Sequence, residues 1–265
     1  MSNPNRLRLV ITGATGGIGR ELIKAMKPYI DFVILNGLDE IVLKQLQDDL
    51  ELKNGISIAG DVSTSNVRDQ IYRAADANGG INLLINNAGM NDFDLFSNQS
   101  DETIENLINV NLTSPMLLTK KLLPLLKKNQ SQIINTGSIF GYLGFPGFVG
   151  YSSTKFGLRG FSQSLRRELA DTSVLVRYFA PRATKTPFNN TLVEQLNRET
   201  KTAMDLPSQV AREFVKFLFQ PTWQKRIGFK ERLFTIINDL FPSIPDKALA
   251  KQLPVIKKYL LKKGN

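Results

Sequence analysis

Two periods alternate along the chain. Short apolar runs occupy residues 7–12, 32–35, 56–59, 81–86, 131–137 and 173–179. They read as strands. Between them, apolar residues recur every three or four positions. This holds in a stretch that ends by Pro28, in DEIVLKQLQDDLELK (39–53), after Ser65, from about Asp101 to Lys128, and from Tyr151 onward. That spacing predicts helices. Strands alternating with helices of this length make βαβ units and a mostly parallel sheet, an α/β fold. No repeat or low-complexity linker interrupts the pattern. The reading is one domain, with a core over residues 1–186 and, within the same domain, a lid and helical C-terminal extension over 187–265.

The first strand leads directly into ITGATGGIG, which opens a helix. Gly13, Gly17 and Gly19 carry the spacing G-x-x-x-G-x-G. Glycines between a strand and a helix permit a tight turn and close backbone approach to a pyrophosphate at the helix N-terminus. The alternative is a structural turn with incidental glycines. The spacing is not a Walker A loop, because no Gly-Lys-Ser/Thr follows.

Composition narrows the chemistry. The chain has 265 residues, enough for one large domain with a full core. It contains no Cys and no His. Disulfides, thiol nucleophiles, zinc–thiolate sites, Ser-His-Asp triads and His general bases are therefore excluded. Asp, Glu, Lys and Tyr remain for acid–base work. The N-terminus runs straight into a strand and a glycine turn, so no signal peptide is expected, and no apolar run approaches bilayer-spanning length. A cytoplasmic protein is the expectation. Net charge is +10, and residues 221–265 hold ten Lys/Arg against three Asp/Glu. Such a balance suits nucleic acid, an anionic membrane surface or a phosphate-bearing ligand.

Within this restricted chemistry one pair stands out. In VGYSSTKFGLRGFSQSLRREL, Tyr151 and Lys155 lie four apart on one face of a predicted helix. An isolated pair would be an accident of an amphipathic helix. The company it keeps argues otherwise. TGATGGIG (12–19), NNAG (86–89), VNLTSP around Asn111, Ser138 in INTGSIFG and YSSTK (151–155) follow one another in the order and spacing of the short-chain dehydrogenase/reductase family, which the chain resembles over roughly residues 6–186.

The resemblance implies a doubly wound Rossmann fold that binds NAD or NADP. It implies a catalytic set of Asn111, Ser138, Tyr151 and Lys155. Cofactor contacts would come from Gly13, Thr15, Gly16, Gly17, Ile18 and Gly19 in the turn, and from Asn36 after the second strand. Asp61 and Val62 would flank the adenine. Asn87, Ala88 and Gly89 would contribute after the fourth strand, with Asn86 stabilising the sheet. Pro181 and Thr184 would contribute after the sixth. Tyr151 and Lys155 would also contact the cofactor, Lys155 holding the nicotinamide ribose, and Ser138 would hydrogen-bond the substrate oxygen. Family members usually pair through the two long helices at 101–128 and 151–170, so a homodimer or homotetramer is expected.

Carbonyl reduction needs a proton as well as a hydride, and Tyr151 is the natural donor. A free phenol has a pKa of about 10, and bringing it to neutrality takes roughly 4 kcal/mol of differential stabilisation. The Lys155 ammonium, one turn away, is the expected source. Pro115 bears on Asn111. If the helix runs through Pro115, the Asn111 carbonyl has no donor four residues on and is left to hold a proton-relaying water. If a helix begins at Pro115, Ser114 or Thr113 caps it instead.

Some features depart from the family pattern. The second strand ends in VILNGLDE, with neither the usual carboxylate nor the usual arginine for the ribose. With no carboxylate to repel a 2′-phosphate, NADP is preferred over NAD. Arg182 replaces the usual Gly of a Pro-Gly pair and faces either an anionic group or solvent. Phe188, Leu192, Val193 and Leu196 fall in the expected lid. The tail from Gln220 interleaves apolar and basic residues. It is either an interfacial segment on an acidic membrane or a solvated face packed on the body or on a second subunit. The functional reading is an NAD(P)-dependent oxidoreductase acting on a small-molecule carbonyl/alcohol pair, with a hydrophobic substrate. The alternative is a non-catalytic nucleotide-binding or scaffold protein on the same fold. A nucleic-acid partner is not expected, since no recognised nucleic-acid module is present.

Overall fold

The apolar runs become the strands of one sheet. The computed structural model of the chain describes residues 6–128 and 130–264. Residues 1–5, at the start of the segment read for a leader, lie outside them. The strands are β1 (Leu7–Ile11), β2 (Ile30–Gly37), β3 (Gly55–Ala59), β4 (Leu83–Asn86), β5 (Ser131–Thr136), β6 (Val174–Ala180) and β7 (Gln224–Arg226). Their order is β3-β2-β1-β4-β5-β6-β7, and every pairing is parallel. Strand order reverses between β1 and β4. A crevice opens beyond the strand ends at such a reversal.

Parallel strands need crossovers, and helices cover both faces of the sheet. Successive residues of β1 point to opposite layers. Leu9 and Ile11 pack with Leu22 and Ile23 of α1 (Gly17–Met26), Leu43 of α2 (Glu40–Asp49) and Phe214 of α8 (Pro207–Leu218). Val10 packs with Ile71 of α3 (Ser65–Ala77) and with Leu118 and Leu122 of α5 (Ser114–Leu126). Each fully buried side chain of this kind contributes about 1.5–3 kcal/mol.

The long helical pattern after Asp101 is continuous but not uniform. It comprises α4 (Asp101–Ile108), one π-helical turn (Asn109–Thr113) and α5. The helix therefore runs through Pro115. That residue has no N–H for the Asn111 carbonyl four positions earlier. Ser114 N–H instead bonds to the Asn109 carbonyl five residues back, and Ser114 Oγ donates to the same oxygen at 2.7 Å. A widened turn of this sort recurs at functional sites.

The remaining helices are α6 (Val149–Glu168), α7 (Thr191–Glu199), α9 (Phe229–Leu240) and α10 (Ser243–Leu260). Residues 187–264 join the sheet through α8, which packs on it, and β7, which pairs with β6. Buried Arg177 in β6 ties them down. Its guanidinium donates to the carbonyls of Phe217, Leu218, Gln220 and Thr222 and to Gln132 Oε1. It thereby satisfies the open C-terminal end of α8, and burial lowers its pKa to about 10. The end of α10 folds back too. Ile256, Tyr259 and Leu260 are buried with Phe93, Phe148, Val193 and Leu196, and Lys258 pairs with Glu199 at 2.8 Å.

Candidate active site

The floor of the crevice is bare backbone. Gly13 has φ +62°, in the left-handed region that favours glycine. A Cβ there would lie 2.8 Å from Ala88 Cα. At Gly19 a Cβ would lie 2.1 Å from the Gly13 carbonyl oxygen, so α1 can start against the turn only without a side chain. Thr12 locks this turn to the next loop. Its Oγ1 accepts from the N–H groups of Asn87 at 3.1 Å and Ala88 at 3.0 Å. Asn87 Nδ2 donates back to the carbonyls of Thr12 at 3.2 Å and Gly13 at 3.1 Å. Below them, buried Asn86 donates to Thr119 Oγ1 and Asn135 Oδ1, clamping β4 to its neighbours.

Above the floor lies a cavity of about 550 Å³. Gly13, Thr15, Gly16, Gly17, Ile18 and Gly19 line it, with Asn87, Ala88 and Gly89 beside them. Ser138, Tyr151, Lys155, Pro181 and Thr184 line it as well. The structure thus brings most of the expected residues to one wall.

Four expected residues are elsewhere. Asn36 is buried, and its Nδ2 donates to the carbonyls of Ile58 at 3.0 Å and Gly60 at 3.1 Å. Its side chain closes β2 onto β3; only its carbonyl meets the glycine turn, accepting from Ala14 N–H. Asp61 Oδ1 accepts from Ser63 N–H at 2.8 Å, holding the bend into α3. Val62 is buried under that helix. Asn111 lies behind the wall. Its Oδ1 accepts from Met90 N–H at 2.9 Å, and its Nδ2 donates to Met90 O at 2.8 Å and Thr154 Oγ1 at 3.1 Å. It joins the loop after β4 to the residue preceding Lys155.

Tyr151 and Lys155 share a face of α6, one turn apart, and both are buried. Lys155 Nζ lies 5.6 Å from the Tyr151 ring centroid and donates to the Thr136 carbonyl at 3.1 Å. Ser138 lines the same cavity wall, its Oγ accepting from Phe140 N–H at 3.1 Å, and it pulls the phenol's pKa down. The electrostatic balance differs from the expectation. Burial pushes the Tyr151 pKa up to about 12, against the opposing pull of Ser138. Burial also brings Lys155 down to about 8. Desolvation dominates at the phenol, and the Lys155 ammonium bonds to the Thr136 carbonyl. The consequence is a phenol that stays protonated at neutral pH and can donate.

The facing wall is aromatic. Phe140 stacks on Phe145 at 5.1 Å between centroids, and Phe148 and Phe188 meet Tyr151 edge-on at 6.2 Å and 6.0 Å. Phe140, Phe145 and Phe148 were absent from the expected site. Their signal was available in FGYLGFPGF, which sets three Phe in nine residues between Ser138 and Tyr151.

Arg182 faces neither an anionic group of a ligand nor open solvent. Its guanidinium forks onto Asp205 at 2.9 Å and 2.8 Å and reaches Glu231 at 3.2 Å. These partners raise its pKa above the ordinary arginine value, with the Asp205 hydrogen bond leading. The triad joins the loop after β6, the segment between α7 and α8, and the first turn of α9.

A nicotinamide dinucleotide fits this wall. The glycines leave backbone exposed at the N-terminus of α1, where no side chain caps the helix. Thr136 Oγ1, at the cavity, is buried without a hydrogen-bond partner. Lys155 stands nearby, its ammonium on the carbonyl of the same residue. Bare backbone at a sheet reversal, beside Ser138 and a buried Tyr-Lys pair, defines a class: a Rossmann-type oxidoreductase that uses a dinucleotide. The model of the short chain dehydrogenase family matches residues 8–197, and the chain belongs to that family of NAD(P)-dependent enzymes.

Relatives agree. The chain is 33% identical over 215 residues to 3-oxoacyl-[acyl-carrier-protein] reductase FabG of Aquifex aeolicus, covering 76% of this chain and 86% of that protein. It is 30% identical over 198 residues to nodulation protein G of a Rhizobium species, covering 74% and 79%. Among solved structures, a short-chain dehydrogenase from Streptomyces avermitilis shares the fold with a TM-score of 0.78 at 23% identity, covering 95% of this chain and 98% of that one. One from Burkholderia cenocepacia, in complex with NADP, has a TM-score of 0.79 at 21% identity, covering 92% and 98%.

Proposed function

We propose that the protein interconverts a hydrophobic, uncharged ketone or aldehyde and the corresponding alcohol, with Tyr151 exchanging the proton. The observation that carries this reading is the buried phenol, which lines one cavity with Ser138 and is walled by Phe140, Phe145, Phe148 and Phe188. A bound nicotinamide supplies or accepts the hydride. Tyr151 gives its proton to the oxygen that gains negative charge. Ser138 donates a hydrogen bond to the same oxygen. Lys155 holds the ribose side of the cofactor and favours the phenolate left behind. Asn111 positions the segment that carries Lys155 through its bond to Thr154. Arg182, already paired with two carboxylates, offers no free cation to a charged substrate. The aromatic wall therefore favours neutral, apolar groups.

NADP is the preferred cofactor in this reading. The Asp39 carboxylate accepts from the N–H groups of Ile41 at 2.8 Å and Val42 at 3.1 Å, capping α2. Its Oδ1 is thereby engaged with the helix. Pairing of two copies through α4, α5 and α6 is supported by the exposed apolar residues Ile108, Met116, Leu117, Val149 and Phe156 on those helices; we read a homodimer or homotetramer. The test is oxidation of NADPH and NADH against ketones of graded size. The reading predicts turnover with NADPH and a kcat/KM that rises with apolar size and drops on adding a carboxylate. Cofactor binding without turnover of any ketone or aldehyde would overturn it.

A further inference from the structure

Helix α9 carries apolar residues on the side away from the body. Phe229, Leu233, Ile236 and Leu240 recur at helical spacing and so form one stripe. They are 72%, 49%, 38% and 65% exposed. The buried residue is Thr235, on the other face, which accepts from Arg226 at 2.9 Å. The stripe runs on through Phe241 and Ile244, both more than half exposed. A contiguous apolar surface of this kind marks an interaction site.

The charge around it selects the partner. Lys230 and Arg232 flank the stripe, and Lys247 and Lys251 lie exposed in the first half of α10; the nearby exposed acids are Asp239 and Asp246. Over residues 221–265 Lys/Arg exceed Asp/Glu by seven. An anionic bilayer answers both features, with apolar side chains entering the acyl boundary and basic ones meeting headgroups. A second copy answers only the first. A twofold contact would set the patch against itself and bring like charges together.

We propose that the outward stripe of α9 seats this protein on anionic lipid. The same helix places Glu231 in the cavity wall, so the cavity lies about one helix diameter, roughly 10 Å, from the headgroups. An apolar substrate dissolved in the bilayer then has a short path to it. The last turn of α10 is not the docking element, since Ile256, Tyr259 and Leu260 are buried in the body. Docking does not depend on the assigned reaction and is tested without it.

The full-length protein is sedimented with vesicles of equal parts phosphatidylcholine and phosphatidylglycerol, and with phosphatidylcholine alone, at physiological salt. Wild type should sediment with the anionic vesicles only, less as salt rises. Leu233→Glu with Leu240→Glu should weaken partitioning on the order of tenfold or more. Lys230→Glu with Arg232→Glu should weaken it less. Leu175→Glu, at an equally exposed apolar residue on β6, should leave it unchanged. Matching circular dichroism spectra show that each variant is folded. The proposal is overturned if wild type stays in the supernatant, or if the Leu233/Leu240 variant sediments as well as wild type. A wild type that binds no vesicles, with a variant that halves the molar mass by light scattering, would overturn it and assign the stripe to a second copy.

Discussion

The two sides of the cavity are built from different materials. The side under β1 and β4 is made of backbone: a left-handed glycine at 13, a helix that starts on bare atoms at 19, and carbonyls held by Asn87. The side formed by the loops after β5 and β6 and by the lid is made of side chains: four phenylalanines and an arginine–carboxylate triad. Backbone tolerates no substitution that adds volume, because the clashing atoms cannot move aside. A side-chain wall can be repacked at moderate cost. The dinucleotide half should therefore fail abruptly, and the substrate half gradually.

Gly19→Val probes the abrupt side and should have the largest effect. Its Cβ would meet the Gly13 carbonyl at 2.1 Å. A loss of about 3 kcal/mol, about a hundredfold in NADPH Kd, should appear in a fluorescence titration. An unchanged Kd would show that the turn can flex. Arg182→Ala probes the other side. It leaves Asp205 and Glu231 facing one another without their cation, partly screened by solvent. KM for the carbonyl substrate should rise roughly tenfold, about 1.4 kcal/mol, while NADPH affinity barely moves. Arg182→Lys should recover only part of this, because an ammonium cannot reproduce the fork. Equal losses on both sides would erase the distinction.

The smallest effect is in pH. Lys155 titrates at about 8 in the folded protein, so carbonyl reduction should be flat below that value and fall a few-fold above it. Tyr151, at about 12, stays protonated throughout. The sign for stability is opposite. Folding depresses the lysine pKa from 10.5 to about 8, so the unfolded chain binds more protons between those values. Stability from this group should rise with pH across that window. Lys155→Met should raise Tm at neutral pH and flatten that rise in thermal melts; a lowered Tm would contradict the burial cost assigned to the charge.

The same division explains what the sequence disclosed. The glycine turn was legible because glycine at fixed spacing between a strand and a helix has a direct backbone cause. Tyr151 and Lys155 were legible because four residues make one helical turn. β7 was not: Gln224, Lys225 and Arg226 carry no apolar alternation, and their pairing with β6 is a tertiary event. The inward aim of the Asn36 amide was equally hidden, since an amide after a strand can turn to a ligand or to a neighbouring strand. The direction of the Tyr151 shift was missed for a related reason. Sequence places the cation but does not measure how deeply both groups are buried.

The central claim is that Tyr151 supplies the proton in a site whose dinucleotide side is independent of it. Tyr151→Phe tests this when NADPH affinity and single-turnover carbonyl reduction are measured on the same preparation. The NADPH Kd should stay close to wild type, with reduction slowed about 10²–10⁴-fold. Reduction within a fewfold of wild type, or cofactor binding lost along with it, would contradict the claim.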